Sequence, residues 1–469
     1  DPAIIARYNQ PLYVAVKTRQ QVAAAGGEVT VDFYLINEKN VRGKHQLKIS
    51  VTDSQGNITE VGTYETEAAG GEVYGQLLVK DVKIPVPAAG GLCRIQAKLC
   101  KENSVVTTGY DDILSVNLAS NMLDGKGAVW EDGNALQNFL KGKTKEAVAA
   151  YEDNLGKLDW IMVARPPKKD QLTMVPMEAL RSADGKPGLD VVYYEDMEFQ
   201  KEVYHEVAKV VNLSAIEGAT PSPFVYMLDG YGIKWSGKIL PSVSGEYTII
   251  PQSNDRSMIE VFVNGKKIYE ITRKKEHLGD GKVYLEGGKS ADIEIRFRHP
   301  RSNARCRLDW AVPNDKMPDA QRLMERAVND GTKIFIIQSA DEWSEFIAAN
   351  SKAVFKDKFF VGTNWLGGVM FNKPHDIFKE LPVGNALNWP YQALIHTGVE
   401  RMGLVMEGEE LLVGAYHTYP MAIGTAMGIV PMGKGSVLFS TLDIYGNIIN
   451  DSAAGLVAKK LIFNMIDFK

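Results

Sequence analysis

"YGIKWSGKILPSVSGEYTI", residues 231–249, reads as two short strands around a Gly-rich bend. It lies between segments in which helix alternates with buried strand, and one domain does not normally change its hydrophobic period twice. The stretch therefore marks a β-rich module inserted into another domain. Upstream, "GAVWED" (127–132) reads as a buried strand, "ALQNFLKGKTKEAVAAYED" (135–153) as a helix and "LDWIMVA" (158–164) as a second buried strand, the βαβ order of a parallel sheet. That pattern stops near Gly188. It resumes at "DAQRLMERAVNDGTKIFIIQS" (319–339), where an amphipathic helix ends at Asp330-Gly331 and feeds an apolar strand. "GSVLFSTL" (435–442) and a closing helix over 453–468, with Leu456, Lys459-Lys460 and Ile462-Phe463, follow later. An insertion at an exposed loop costs little if the guest's ends lie close together.

Residues 10–115 have a different character. Val29, Val31, Phe33 and Leu35 share one face of "GEVTVDFYLIN", and Leu47, Ile49 and Val51 share one face of "HQLKISVT". Turn signals such as "SQGN" and "AAGGE" break these runs at short intervals, which predicts an immunoglobulin-like β-sandwich. A chain of 469 residues holds several such cores, roughly three by a length prior.

Composition narrows the function. Apolar residues make up 45% and charged residues 24%, the balance of a globular protein. The net charge is -5 and the basic residues are scattered, so no electrostatic footprint for nucleic acid exists and a glycan or a protein is the expected partner. No run of about 18 apolar residues predicts a membrane span. The chain begins at Asp1 without a signal peptide, as a processed product or a cut fragment does. Three cysteines exclude a disulfide framework. Cys93 and Cys100 lie seven apart in one strand, which places them on opposite faces and roughly 23 Å from each other, beyond bridging reach.

The insert runs from "GLDVVYYEDMEFQKEV" (188–203) to "GGKSADIEIRFRHPRSNARCRLDW" (287–310). Its "YYEDMEF" start, Trp235-Ser236-Gly237, Ser244-Gly245-Glu246-Tyr247 and Leu308-Asp309-Trp310 resemble the PA-fourteen module, a β-barrel of the protective-antigen type found in glycosidases, toxins and adhesins. In sugar-binding adhesins of that type two adjacent Asp residues hold a calcium ion that grips sugar hydroxyls. The resemblance places that role at Asn254, Asp255 and Arg256, where one carboxylate is an amide; a hard-cation site is thereby weakened, with Asp255 its one anionic ligand. A tight turn using Asn and Asp is the other reading. Trp235 either stacks on a sugar ring or fills the core between strands.

The flanking regions carry further resemblances. The "PLYVAVK" strand, Asn37-Glu38 and Gly43 resemble the β-sandwich that follows the catalytic barrel in bacterial family 2 glycoside hydrolases. Asn-Glu is also the acid/base signature of that family, but here it ends a sandwich strand with no (β/α) units around it, which makes it a turn. "AVWEDGNALQNFL", "HDIFKELPVGNALNWPYQAL" (375–394) and "MGKGSVLFSTLDIYG" (432–446) resemble the flavodoxin-like α/β fold of class I glutamine amidotransferases. No cysteine has the glycine-flanked elbow such a nucleophile needs, so the resemblance implies a scaffold without its triad.

Other candidates are weaker. Glu131 and Asp132 end the first parallel strand, where open α/β sheets place ligands; a solvated loop or helix N-cap is the plainer alternative. His375, His396 and His417 match no compact metal site. "PMGKGS" (431–436) precedes a strand and not a helix, unlike a phosphate loop. Trp365, Trp389 and Tyr391 either pack against a neighbouring module or line a sugar site.

These readings combine into a multidomain β and α/β protein: a sandwich over 1–116, a split α/β domain over 117–186 and 312–469, and a PA-fourteen barrel over 187–311. The expected role is that of a non-catalytic C-terminal region of a family 2-like glycoside hydrolase acting on β-linked glycans, covalently linked to an upstream catalytic domain. It would bind polysaccharide or shape the active-site mouth, in the periplasm, in secretion or at the cell surface. Calcium is the one cofactor considered. The alternative is a free-standing surface glycan-binding protein.

Overall fold

The period-two segments of the N-terminal region pair into two facing sheets, antiparallel except where Val22–Ala24 runs parallel to Ser104–Val116. The computed structural model describes residues 9–102, 104–118, 122–167, 172–214, 220–222, 229–253, 256–301, 304–313, 318–361, 368–384, 386–396, 402–418, 421–449 and 453–468. The chain divides into one unit of residues 1–121, 374–391 and 450–469 and a second of residues 122–373 and 392–449.

In the first unit the strands Leu12–Thr18, Glu28–Asn37 and Gly75–Pro85 form one sheet. The other sheet orders Val22–Ala24, Ser104–Val116, Gly91–Lys101, Arg42–Thr52 and Ile58–Ala69. Val31, Phe33 and Leu35 from the first meet Leu47, Ile49, Ile95 and Leu99 from the second in one core. Asn37 closes the turn after its strand: its amide donates to Val41 O at 2.9 Å and accepts from Val41 N at 3.0 Å. Glu38 is exposed beside it, in a turn and not on a barrel strand. Cys93 and Cys100 are both buried, Cys93 in the core between the sheets and Cys100 on the opposite face of the strand.

The C-terminal helix Ala453–Asp467, expected with the α/β domain, clusters with the sandwich. It packs on Val22–Ala24 and Ser104–Val116 and on the short 3₁₀ turns Asp376–Phe378 and Trp389–Tyr391. Apolar residues are buried nearly all round it, from Val457 to Ile466, so it needs cover on several sides. Lys460 is buried too, with Nζ 2.5 Å from Glu380 and 3.2 Å from Asn117 O.

In the second unit Ala149–Ala150, Gly127–Glu131, Trp160–Ala164, Lys333–Ile336 and Gly435–Ser440 lie side by side and parallel. The helix Ala320–Asp330 follows the sequence reading: Asp319 accepts the Gln321 N–H at 2.8 Å, and Gly331 ends it at φ 80°. The helix expected over 135–153 is real only for Ala135–Leu140. Gly142, at φ 74°, turns the chain there, and Ala149–Ala150 joins the sheet edge instead. From Val354 to Met432 the chain adds antiparallel strands. Helices are therefore few and short, and the region is not the doubly wound layer of a flavodoxin.

The insert is all β. One sheet runs from Glu202–Ala208 through Leu189–Tyr194, Tyr231–Ile239, Ala291–His299 and Met258–Val263 to Lys266–Ile271; a second holds Arg305–Ala311 and Gly245–Ser253. Both close on one core that includes Ile233, Trp235, Tyr247, Ile295, Phe297 and Trp310. Thr173–Met174 and Leu180–Arg181 add to these sheets, so the module begins before residue 187.

One glycine sets the shape of the sandwich. A Cβ on Gly109 would stand 1.6 Å from Val14 O, so only glycine lets these two strands approach. Gly109→Ala should lower stability by about 2–3 kcal/mol or more in denaturant titration. Gly75→Ala, whose Cβ meets nothing closer than 3.9 Å, should stay within about 0.5 kcal/mol.

Candidate functional site

The strands of the insert alternate strictly, so every second side chain points out. Tyr231, Ile233, Trp235 and Ile239 fall inside; Lys234, Ser236 and Lys238 fall outside. On the next strand Ile293, Ile295 and Phe297 are inside and Asp292, Glu294, Arg296 and Arg298 outside. The outer face is thus a belt of alternating charge with aromatic rings between. Arg296 pairs with Glu294 and lies 4.7 Å from the Phe262 ring centre. Lys238 Nζ is 2.8 Å from Asp292. A groove of about 330 Å³ runs here between Ser236, Gly237, Phe262, Asp292 and Arg296.

Toward one end of the barrel, Arg298 lies 4.7 Å above Phe199 and Lys234 5.2 Å from it. Arg298 also meets Glu260 at 2.9 Å, with Lys267 at 3.2 Å. Burial alone would push the Glu260 carboxyl up, but these two cations outweigh it and hold it below the usual carboxylate range. In the neighbouring loop Asp196 accepts the backbone N–H groups of Glu198, Gln200 and Lys201, at 2.6–3.2 Å. The same end receives the turn between Gly245–Ser253 and Met258–Val263. Ser257 is buried there, its hydroxyl 3.1 Å from His299 Nδ1, and Arg256 is exposed. Asn254 and Asp255 lie outside the described residues.

Trp235 does not stack on a ligand. It is 3% exposed and meets Phe297 edge-on at 6.1 Å in the barrel core. Its place inside follows from period two: it shares a face with Tyr231 and Ile233, which the sequence already showed as one apolar row.

Glu131 and Asp132 are brought together at the C-terminal edge of the parallel sheet, but both are engaged. Glu131 accepts the N–H groups of Leu136 and Gln137, at 3.0 and 3.1 Å, capping the helix that follows it, and the Tyr445 hydroxyl at 3.0 Å. Asp132 pairs with Arg165 at 2.8 Å, and both are nearly buried. Arg165 O in turn accepts the Trp343 indole at 2.8 Å. Burial raises the Glu131 carboxyl above its ordinary range, with its hydrogen bonds working against that. Sequence reading missed Tyr445 and Arg165, since neither has local signals that tie it to Glu131.

The strand-to-helix turn of this sheet at Ser339 is left-handed, φ 53°. Burial pushes the thiols of Cys93 and Cys306 up, the reverse of an activated nucleophile. Asn372 ends its strand and His375 caps the turn after it, its Nδ1 3.2 Å from Ile377 N. Among the described residues no group of three or more His, Cys, Asp or Glu is placed to hold a metal, and no helix is long and apolar enough to cross a membrane.

Residues 185–322 match the sequence profile of the PA14 domain family. The chain contains a PA14 domain. The anti-sigma-I factor RsgI3 of Acetivibrio thermocellus is 27% identical over 127 residues, 26% of this chain and 19% of that protein. The chain thus matches about a fifth of the length of that curated relative. Among solved structures, an anti-sigma factor domain-containing protein from Clostridium clariflavum is 11% identical, with a TM-score of 0.26, over 62% of this chain and 83% of that one. The PA14 sugar-binding domain from RTX adhesin is 14% identical, with a TM-score of 0.22, over 26% and 88%.

Two outcomes separate core from site within this unit. Trp235→Ala should cost about 3–5 kcal/mol in denaturant titration of the whole chain, as a buried aromatic does. Glu131, with its folded-state carboxyl raised, contributes stability at low pH that is lost as pH rises above the ordinary glutamate value of about 4.3. The stability of the wild type relative to Glu131→Gln should therefore fall between pH 4 and pH 8, by about 1.4 kcal/mol for each unit of displacement. A difference that stays constant with pH would contradict the assignment.

Proposed function

We propose that the chain binds carbohydrate through its PA14 domain, with Asn254, Asp255 and Arg256 as the contacting residues. The observation that carries this reading is the PA14 match over 185–322. The donor set suits a hard cation: the Asp255 carboxylate and the Asn254 carbonyl oxygen are oxygen ligands of the kind calcium takes, and one amide in place of a carboxylate makes the site weak. Calcium, when bound, would coordinate vicinal hydroxyls of a sugar directly. Arg256 would donate to sugar oxygens as a planar fork.

The wider reading is an accessory region of a family 2-like glycoside hydrolase acting on β-linked glycans, with the whole displayed outside the cytoplasm. Such a module raises the local concentration of polysaccharide at a linked catalytic domain without any catalytic group of its own. The second reading is a surface glycan-binding protein without an enzyme domain. It is favoured by the curated relative, which is named as an anti-sigma factor and not as a hydrolase.

Calorimetric titration of the whole chain with neutral plant and host oligosaccharides, with calcium and with chelator, tests the binding. Asp255→Ala should weaken binding at least about tenfold, the scale of one charge-assisted contact, while the thermal transition stays put. Calcium should raise the melting temperature of the wild type and not of the variant. No heat with any glycan would overturn the proposal.

A further inference from the structure

The geometry points to a second ligand site, on the sandwich: a groove that takes a neutral oligosaccharide. It does not rest on the PA14 reading. It lies where the two sheets touch without a ladder. The strand Leu12–Thr18 pairs with Glu28–Asn37 on one side, and Ser104–Val116 pairs with Gly91–Lys101 along one edge and with Val22–Ala24 only over Leu114–Val116. The edges of these two strands therefore face each other, tied by side chains: the Thr107 hydroxyl donates to Leu12 O at 2.8 Å and the Thr18 hydroxyl to Asp111 at 2.5 Å. Gly109, pressed against Val14 O, forms the floor.

The space is about 640 Å³, within the range of sites for small ligands, roughly 300–1,000 Å³. Three rings border it: Tyr13, Tyr110 and Trp389. Trp389 comes from the 3₁₀ turn Trp389–Tyr391, in which Pro390 and Tyr391 are buried and the Tyr391 hydroxyl donates to Pro382 O at 2.7 Å. That turn is anchored, and it leaves Trp389 half-exposed at the groove. Tyr110 carries Arg94 on its face at 3.7 Å, and Arg94 holds Asp112 through two bonds of 2.7 and 3.0 Å.

This chemistry selects a class of ligand. Rings with a polar tip offer apolar faces to the C–H faces of a sugar, and Asp111, Gln10 and Gln21 offer acceptors and donors for hydroxyl groups. Carboxylates on the lining repel phosphate, which excludes nucleic acid. Asp112 is already neutralised by Arg94, and Asp111 already accepts a hydroxyl and the Asp112 N–H at 3.0 Å, so the groove is not built as a trap for cations. A neutral sugar matches both halves of the lining.

The test uses the whole chain with cellohexaose, xylohexaose and mannohexaose as probes. Five of the seven tryptophans, Trp130, Trp160, Trp235, Trp310 and Trp343, are buried, and Trp365 lies outside the described residues, so the emission is read in a Trp365→Phe background, where a ligand in this groove reports through Trp389. At least one hexasaccharide should shift that emission, and the shift should persist in Asp255→Ala. By calorimetry, Trp389→Ala should weaken the same hexasaccharide at least tenfold with an unchanged thermal transition; exposed Gln21→Ala should weaken it less and serves if the first variant is unstable. The proposal is overturned if none of the three changes the emission, if the response is lost in Asp255→Ala but kept in Trp389→Ala, or if spermidine displaces the sugar.

Discussion

The second unit depends on one closure. Trp160–Ala164 and Lys333–Ile336 are adjacent parallel strands, yet the whole PA14 module separates them in sequence. Neighbouring strands lie only about 4.8 Å apart, so the module must leave and return through nearly the same point. Its own strands make that possible: Thr173 pairs with Trp310 and Met174 with Asp309, joining the segment that enters to the segment that exits. Past the closure the chain re-enters the sheet at once, with Lys333 N donating to Asp159 O at 2.9 Å and the Thr332 hydroxyl to Leu158 O at 2.8 Å. A guest that fastens its own ends places no strain on the host, and this is why a β module can interrupt a parallel sheet between two of its central strands.

The edge of that sheet shows what buried charge does here. Glu131 and Asp132 sit where open α/β sheets commonly bind ligands, but their bonds run to the backbone of the next helix, to Tyr445 and to Arg165. A carboxylate that satisfies two helix N–H groups and a buried hydroxyl is fully used in holding the fold. The sheet edge is therefore knotted, and the surfaces left for recognition are the outer face and loop end of the barrel and the seam of the sandwich.

How much of this could be read from the sequence follows the range of each interaction. Period two placed Val29, Val31, Phe33 and Leu35 on one face, and burial of one face is enough to fix such a register. The Asp319 cap and the Gly331 stop were legible because capping is local. The helix after Asn134 was read too long because its apolar spacing continues past Gly142, where a single left-handed residue ends it. The C-terminal helix was assigned to the wrong neighbour because an apolar helix says how much cover it needs and not which surface supplies it. The sites divide in the same way. The barrel was recognisable from its own strands, whereas Trp389 stood between packing and a sugar site until Tyr13 and Tyr110, far off in sequence, were placed around the same groove.

The two carbohydrate sites proposed for this chain would have a consequence that neither would have alone. A weak calcium site with a single carboxylate, or an open groove with three rings, would hold a monosaccharide poorly, because each contact replaces water that was already bonded. A polymer repeats its epitope, so once one site is filled the second binding step draws on an effective concentration set by the chain between them. Avidity then exceeds either affinity by about 10²–10⁴ without any new contact. Weak sites are an advantage in that setting, since each can release and rebind while the polymer stays attached. Two such sites would on that account suit a polysaccharide better than a free sugar.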